Sequence, residues 1–437
     1  MDPRGFHTIT LGCKLNQFDT AGIAGELMRR GYHAQPDAAG ASVVVLNTCT
    51  VTGKADAEAR KWIRRVRREN STCRLLVTGC YAELDAAGIA RIDGVDRIFG
   101  NREKADLPRI LDELGIEADA ELGDRGCDGA PDLPATLHFG DRSRAFLKVQ
   151  EGCRLACSYC VIPRVRGASV SVAMDRVSDT ARTLFESGYR EVVLTGVNVG
   201  DYGRDLEPST SLAELLRRLL GECGNNRIRL NSLEPLTVSD EIVDLMASNP
   251  SLAPHLQVPL QSGSNEILKM MRRNYRTDGY AERLQRLRDA IPHVGLGADV
   301  IVGFPGETEE LFRESYEFIA DSPLNYLHVF SWSPRPGTPA SELPGRVHGS
   351  QVRERSTRLR ELADELSQRF RSRFVGQILD AVVLAPRRKD GLLRALTGNF
   401  IEVALPAGSA QRGERLPVRI TDVSRHDTHA ETITPEG

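Results

Sequence analysis

The sequence lacks several features that define broad classes of protein. It contains no run of about eighteen consecutive apolar residues, which a membrane-spanning helix requires, so we expect no association with a membrane. The first residues show no basic stretch followed by an apolar core, so we expect no secretory signal and a cytoplasmic location. Basic residues number 57 and acidic residues 60, which excludes a uniformly basic nucleic-acid coat but allows a local basic patch.

Cysteine is also scarce. The 437 residues include nine cysteines, an odd and modest number that does not fit a disulfide framework. Internal repeats and low-complexity segments are absent from the sequence as well. The placement of the cysteines therefore favours metal or redox chemistry in a reducing compartment.

The pattern of apolar residues predicts an α/β protein of three domains, within the two to four that the length allows. Residues 1–117 alternate strand and helix patterns and include buried runs such as Ser42–Cys49, which predicts a doubly wound parallel sheet. Residues 118–137 are rich in Asp, Gly, Ala and Pro without any period, as is typical of a linker.

A second alternation over residues 138–374 predicts an incomplete (β/α)6 barrel that ends with an amphipathic helix at Gln351–Phe374. The six candidate strands are Ala145–Gln150, Arg190–Val197, Arg227–Leu233, His255–Leu260, Ala298–Phe304 and Tyr326–Trp332. Residues 375–437 change to short strands separated by turn residues, which predicts a small antiparallel β-barrel.

The sharpest chemical signal is a triplet of cysteines with the spacing Cys153-x-x-x-Cys157-x-x-Cys160. Three thiolates in one loop can bind a [4Fe–4S] cluster and leave its fourth iron open to a small molecule. The alternative is a zinc knuckle, but structural zinc takes a closed set of four ligands. The nearest upstream candidate for a fourth ligand is His138, so the spacing favours iron and sulfur.

Three more cysteines, which we call the first triplet because they come first in the chain, are scattered along the first domain. Cys13, Cys49 and Cys80 each end a predicted parallel strand, and the carboxyl ends of such strands share one edge of a sheet. We therefore expect their thiols to converge on a second metal centre. The alternative is that they pack as small hydrophobic residues. We interpret the remaining cysteines, Cys73, Cys127 and Cys223, as packing or surface residues.

The 153–160 segment resembles the signature of the radical S-adenosylmethionine (SAM) enzymes, including the aromatic Tyr159 before the last cysteine. The resemblance implies that SAM binds the open iron and is cleaved by an electron from the cluster to a 5′-deoxyadenosyl radical. It also implies cofactor contacts after the second and third barrel strands and in the segment GADVIVGFPGE. The matching residues after those strands are Thr195, Gly196, Ser232 and Glu234.

Motifs along nearly the whole chain resemble those of the methylthiotransferases, a family within the radical SAM enzymes. They are GCKLNQFD, NTCTVT, TGCYAE, CSYCVIPRVRG, RLNSLEP, VPLQSGSNEILKMMRR and SPRPGTPA. The resemblance implies two [4Fe–4S] clusters, the second of which, at Cys13, Cys49 and Cys80, carries sulfur. It also implies an electron-donor protein, a sulfur source and a C-terminal TRAM-like domain that binds RNA, whereas nothing in the sequence requires more than a monomer.

The NTCTVT motif, followed by a basic helix, is most similar to the branch that acts on N6-threonylcarbamoyladenosine at position 37 of tRNA. Two other substrates remain open, namely N6-isopentenyladenosine in tRNA and an aspartate of a ribosomal protein. A zinc-containing RNA-binding protein is the alternative from a different class.

Two groups of basic residues are candidates for contact with RNA. Arg60, Arg64 and Arg68 recur every four residues in a predicted helix and form a basic strip, although such a strip is equally typical of a solvated helix face. The second group is one turn of the C-terminal barrel, and it comprises Arg387, Arg388 and Lys389.

Overall fold

The computed structural model describes residues 2–118, 137–140, 142–385 and 388–433. Residues 119–136 of the predicted linker, Cys127 among them, and the candidate RNA contact Arg387 lie outside the described residues. Within the described ranges, none of the helices has the length and apolar character needed to cross a bilayer.

The N-terminal sheet consists of parallel strands flanked by helices on both faces. Its strands are β1 (Gly5–Thr10), β2 (His33–Ala34), β3 (Val43–Thr48), β4 (Arg74–Gly79) and β5 (Arg97–Ile98). Its helices are α1 (Lys14–Arg29), α2 (Gly53–Glu69), α3 (Cys80–Leu84), α4 (Ala86–Ala90) and α5 (Leu107–Glu113). The strand order is β2-β1-β3-β4-β5.

The central strand β3 explains why both faces of this sheet are covered. Val44 and Leu46 pack in one apolar core with Ile63 of α2, while Val43 and Val45 pack in the opposite core, which includes residues of α1 and α5. A continuous apolar run suits a strand buried on both sides. The predicted doubly wound parallel sheet is therefore confirmed.

The second region is built on eight strands. They are β6 (Ala145–Lys148), β7 (Gln150–Glu151), β8 (Val170–Ser171), β9 (Glu191–Thr195), β10 (Arg227–Leu230), β11 (His255–Gln257), β12 (Gly295–Val302) and β13 (Tyr326–Ser331). Its helices are α6 (Ile162–Arg166), α7 (Met174–Glu186), α8 (Leu212–Glu222), α9 (Asp240–Ser248), α10 (Asn265–Met270), α11 (Thr277–Ala290), α12 (Glu309–Asp321) and α13 (Gly349–Ser372). Short 3₁₀ turns lie at Arg102–Asp106, Val199–Asp201, Pro235–Thr237 and Pro339–Glu342.

Six of these strands form the central barrel. The parallel sheets β6-β9-β10 and β11-β12-β13 are joined by two parallel bridges, Ile228 to Leu252 and Ser232 to Gln257. Among the described residues β6 and β13 are not paired with each other, so the barrel is incomplete, as the sequence predicts. All six predicted strands are present, although β12 begins at Gly295 rather than at Ala298.

The C-terminal barrel is closed and small. Its strands are β14 (Ile378–Leu384), β15 (Leu393–Thr397), β16 (Glu402–Leu405), β17 (Arg415–Val423) and β18 (Thr428–Thr432), in the order β14-β15-β16-β18-β17. The pairing is antiparallel, as predicted, except between β16 and β18, where Ala404 and His429 pair in parallel. Phe370 of α13 and the adjacent Phe374 pack into the barrel core.

Candidate functional site

Three neighbouring strands of the N-terminal sheet end at the first cysteine triplet. Cys49 directly follows β3, Cys80 is the first residue of α3 after β4, and Cys13 caps α1 after β1. The turn before Cys13 lies against Cys49, because a Cβ atom added to Gly12 would stand 2.6 Å from the Cys49 Cβ. The structure thus brings the three cysteines to one edge of the sheet.

The thiols of this triplet act on one another electrostatically. Burial raises the pKa of Cys49 to about 11, and the neighbouring Cys13 and Cys80 raise it further, whereas a backbone N–H and Arg166 oppose the shift. Three thiolates gathered without a cation would repel each other. This donor set therefore fits a positively charged centre that the three sulfurs share.

The second triplet, Cys153, Cys157 and Cys160, lies in a loop whose two ends are held together. Strands β7 and β8 pair on either side of the loop, and the Cys153 N–H donates to the Gly167 carbonyl over 3.0 Å. In the middle of the loop, the Ser158 N–H donates to the Met271 carbonyl, also over 3.0 Å. Burial raises the pKa of Cys160 to about 12, and the neighbouring Cys157 and Cys153 add to the rise.

Arg273 contacts the second triplet, a role that the sequence analysis did not assign. Its Nη1 donates to the Cys157 Sγ over 3.2 Å, and its Nη2 pairs with the Glu234 carboxylate. Tyr159, within the same loop, packs against Ile267 and neighbouring apolar residues. Arg273 is the last residue of the motif VPLQSGSNEILKMMRR, and that motif is the sequence signal that could have drawn attention to it.

The other predicted cofactor contacts lie at the same end of the barrel. Thr195 is buried as the last residue of β9, and Gly196 follows it so closely against Gln150 that an added Cβ would stand 2.9 Å from the Gln150 carbonyl oxygen. Ser232 follows β10 and bridges to Gln257. Of the predicted contacts, Gly196 lies against Gln150 just before the loop of the second triplet, and Glu234 reaches that loop through Arg273.

Arg166 brings the segment that follows the second triplet into contact with the first triplet. It ends α6, just beyond Cys160, and its Nε donates to the Cys80 Sγ over 3.2 Å. The same guanidinium pairs with Glu151 at 2.5 Å and with Asp19 at 3.5 Å, and only 1% of its side chain is exposed. A residue from the loop of the second triplet therefore reaches a thiol of the first.

Apolar packing and a second arginine fix the same arrangement. Cys80 shares an apolar cluster with Val161 and Val165 of the 161–166 segment, so α3 packs directly on α6. Beyond β13, the Arg335 Nη2 donates to Thr50 Oγ1 at 2.8 Å and to Asp56 Oδ2 at 2.7 Å. Both contacts therefore hold the N-terminal sheet to the central barrel.

Lys14, the residue after Cys13, extends into the central barrel. Its Nζ donates to the Asn231 Oδ1 at the end of β10. Burial lowers the pKa of Lys14 to about 8, and the charges of Arg144 and Arg229 lower it further.

The candidate RNA contacts differ in whether their charged groups are exposed or already bound to other residues. Arg64 and Arg68 are exposed on α2, but Arg60 folds back and donates to the Tyr81 hydroxyl over 2.8 Å. In the C-terminal barrel Lys389 is exposed, while Arg388 is paired with Asp427 at 2.7 Å and with Asp390 at 3.0 Å.

The spacing of the cysteines distinguishes between kinds of metal centre. Among the residues that the structure describes, no three His, Cys, Asp or Glu side chains converge closely enough to bind a single metal ion. A four-iron cluster requires a wider set, because each thiolate binds a different iron. A [4Fe–4S] cluster has four irons, so either set of three cysteines would leave one iron without a protein ligand.

Two family profiles and several curated proteins match this chain. The profile of the Radical SAM superfamily matches residues 147–319, and that of Uncharacterized protein family UPF0004 matches residues 5–100. The threonylcarbamoyladenosine tRNA methylthiotransferase MtaB of Bacillus subtilis is 37% identical over 95% of this chain and 93% of its own. The tRNA-2-methylthio-N(6)-dimethylallyladenosine synthase of Nitratidesulfovibrio vulgaris is 34% identical over 99% of both chains.

Solved structures show the same fold. The radical SAM methyltransferase TsrM of Kitasatospora setae aligns with a TM-score of 0.56 at 16% identity, covering 77% of each chain. The radical SAM match implies one [4Fe–4S] cluster and SAM as cofactors. Because named methylthiotransferases align with nearly the whole sequence, the chain belongs to the family of radical SAM methylthiotransferases.

Proposed function

We propose that this protein converts N6-threonylcarbamoyladenosine at position 37 of tRNA to its 2-methylthio derivative. The B. subtilis relative, which carries that activity in its name, supports the choice of substrate. The observation that carries the proposal is the Arg166 bridge, because a methylthio transfer needs a radical centre and a sulfur-carrying centre side by side.

The two cysteine triplets have separate tasks in this proposal. Cys153, Cys157 and Cys160 hold the cluster to which SAM binds, with Thr195, Gly196, Ser232 and Glu234 around the cofactor. Cys13, Cys49 and Cys80 hold a second cluster, which carries the sulfur. When bound, these groups supply the one-electron chemistry that an adenine C2–H bond requires, since that hydrogen is neither acidic nor hydridic.

The chain itself supplies charge, position and exclusion of water. Arg166 donates to a sulfur of the first triplet and Arg273 to a sulfur of the second, so each set of cysteines has a cation in contact. Glu234 holds the Arg273 guanidinium. Cys49 and Cys80 are buried, so water is kept from these two sulfurs, whereas Cys13 is exposed.

The open edge of the barrel offers a surface for an extruded base. Tyr326, His328 and Phe330 form a ladder along one face of β13, with ring centroids 5.5 Å and 6.4 Å apart. Phe330 is 45% exposed although it is large and apolar. Enzymes that modify a base take it out of its stack, and exposed aromatic rings are the surfaces on which such bases stack.

Analysis of tRNA nucleosides from a deletion strain tests the proposal. We expect the 2-methylthio derivative of threonylcarbamoyladenosine to disappear and its unmodified precursor to accumulate. Loss of the 2-methylthio derivative of isopentenyladenosine would instead assign the substrate of the N. vulgaris relative. Unchanged tRNA would contradict both assignments and leave an aspartate of a ribosomal protein as the remaining candidate substrate.

Metal analysis of protein purified without oxygen tests the two clusters. We expect about eight irons per chain, because each cube holds four. Replacing Cys153, Cys157 and Cys160 by Ala should halve the iron and abolish SAM cleavage, and the matched replacement of Cys13, Cys49 and Cys80 should halve the iron but keep that cleavage. Zinc without iron would instead identify the zinc-containing RNA-binding protein.

The remaining expectations extend this proposal. We propose that the chain divides into domains at 1–117, 138–374 and 375–437 and that the exposed Arg64, Arg68 and Lys389 contact RNA phosphates. Four further points stay predictions, namely the electron-donor protein, the sulfur source, the monomeric state and the cytoplasmic location.

A further inference from the structure

Lys14 connects the two halves of the site from an unexpected direction. It follows Cys13 in the first triplet, while its partner Asn231 precedes Ser232 at the end of β10. The ammonium group therefore lies in the central barrel, although its backbone belongs to the N-terminal sheet. The Lys14 side chain points away from the cysteines, so holding them does not explain its position.

The charge of this lysine is only partly offset, by the nearby Cys13 and Asp299, and no described ion pair neutralises it. Its described hydrogen bond goes to the neutral Asn231 amide, and among the described residues no carboxylate forms an ion pair with it. The neighbouring Arg144 and Arg229 are already paired with Glu191, at 3.1 Å and 2.9 Å. Asp299 is held by Gln257 at 2.9 Å and by His328 at 3.1 Å.

A buried cation without a counter-ion is costly unless a ligand provides one. The proposed substrate, N6-threonylcarbamoyladenosine, provides such a negative group, because the threonyl part of its N6 substituent ends in a carboxylate. The reacting carbon C2 and the substituted carbon C6 flank the same ring nitrogen. A group that reads the substituent must therefore stand close to the site that delivers sulfur, as Lys14 does beside Cys13.

We propose that Lys14 binds the carboxylate of the N6-threonylcarbamoyl group and so selects this substrate over a base with an uncharged N6 substituent. The inference rests on the proposed function and adds a specificity-determining residue to it. Asn231 orients the ammonium, which then donates to the carboxylate oxygen.

Binding measurements with anticodon stem-loop RNAs test this role on the iron-loaded protein. The probes carry threonylcarbamoyladenosine, its neutral methyl ester or isopentenyladenosine at position 37. We expect the wild-type protein to bind the carboxylate form roughly 10- to 100-fold more tightly than the methyl ester, the range for a charge-assisted hydrogen bond. Lys14→Met should reduce the ratio to about one, and Lys14→Arg should restore part of it.

Lys148→Met is the matched control. Lys148 also belongs to the barrel, on β6, but it already pairs with Glu151 at 3.4 Å. Its loss should leave the binding ratio unchanged. Iron content should be the same in Lys14→Met and wild type, since the lysine is no ligand.

Two outcomes would overturn the proposal. One is a Lys14→Met variant that keeps the wild-type ratio, and the other is a variant whose defect lies in binding SAM, which also carries a carboxylate. Failure of the proposed function has a different signature, because the wild-type protein would then not modify threonylcarbamoyladenosine at all.

Discussion

At the scale of single residues, Arg166 shows how a buried charge can define a site. The guanidinium contacts Glu151, Asp19, Asn16 and the Cys80 sulfur at once. Although burial alone would raise the pKa of Asp19, the Lys104 and Arg166 charges hold it well below its usual range. The carboxylates and the Arg166 guanidinium are therefore charged together, and the charge of each stabilises that of its partners.

Replacing Arg166 by Met tests this dependence. The variant leaves buried carboxylates without their partner, so we expect the free energy of unfolding to fall by about 3–5 kcal/mol. Iron bound at the first triplet should fall as well, because Cys80 loses its cation. Thermal unfolding and iron analysis measure the two effects.

Arg164→Met provides the control for this variant on the same short helix. Arg164 donates from an exposed position to the Pro336 carbonyl, so its loss should cost at most about 1 kcal/mol. Equal destabilisation by the two variants would contradict the role of Arg166 as the bridge.

At the scale of elements, the turn between β1 and α1 sets the position of the first triplet. Gly12 has a φ of +94°, which residues with a side chain rarely adopt. The close approach of its Cα to Cys49 leaves no room for a methyl group. The turn thus determines both where α1 begins and how near Cys13 lies to Cys49.

We expect Gly12→Ala to displace the first triplet without unfolding the protein. The strained backbone costs about 1–3 kcal/mol, and the added methyl group pushes Cys49 away. Iron should therefore fall from about eight towards about four per chain, while SAM cleavage at the second triplet persists.

Gly221→Ala in α8 is the opposite case. An added Cβ there meets nothing within 4 Å, and alanine in a helix stabilises by about 0.5–1 kcal/mol relative to glycine. Its thermal midpoint should rise and its iron content should stay unchanged. A loss of iron in both variants would show that the effect of Gly12→Ala is not local.

The elements also show what sequence can and cannot predict here. The positions of Cys13, Cys49 and Cys80 at one edge were predictable, because parallel strands have a fixed direction and order rules. Arg166 and Arg273 were not assigned, since nothing in local spacing reveals which distant sulfur an arginine reaches. The sequence pattern does not indicate the strand Thr428–Thr432, because THAET is short and mostly polar, although its antiparallel partner β17 ends only a short turn before it.

At the scale of the whole molecule, one buried carboxylate holds the two barrels together. Glu191 pairs with Arg227 at 2.6 Å and with Arg229 at 2.9 Å, and it is fully buried. The two arginines continue into the C-terminal barrel, where Arg227 pairs with Asp380 at 2.8 Å and Arg229 donates to the Gly398 carbonyl at 2.8 Å. Glu191 therefore positions the arginines that bind the C-terminal barrel.

The same carboxylate predicts how the molecule responds to acid. Burial alone would raise the pKa of Glu191, but Arg229 and Arg227 hold it well below its ordinary value of 4.5. A lowered carboxyl pKa contributes stability that is complete above the ordinary value and is lost as the pH falls through the folded-state value. The two barrels should thus stay joined at neutral pH and separate only in strong acid.

Glu191→Gln should bring that separation to neutral pH. The amide cannot neutralise two buried guanidinium groups, so we expect a loss of about 3–5 kcal/mol and a separate, earlier calorimetric transition for the C-terminal barrel. Glu402→Gln removes an exposed ion pair with Arg394 on the surface of the same barrel and should change stability by less than about 1 kcal/mol. Because the C-terminal barrel is the proposed RNA-binding part, Glu191→Gln should also weaken tRNA binding while iron content stays at the wild-type level. A single unshifted transition in Glu191→Gln would mean that the contacts of Arg227 and Arg229 with the C-terminal barrel do not depend on Glu191.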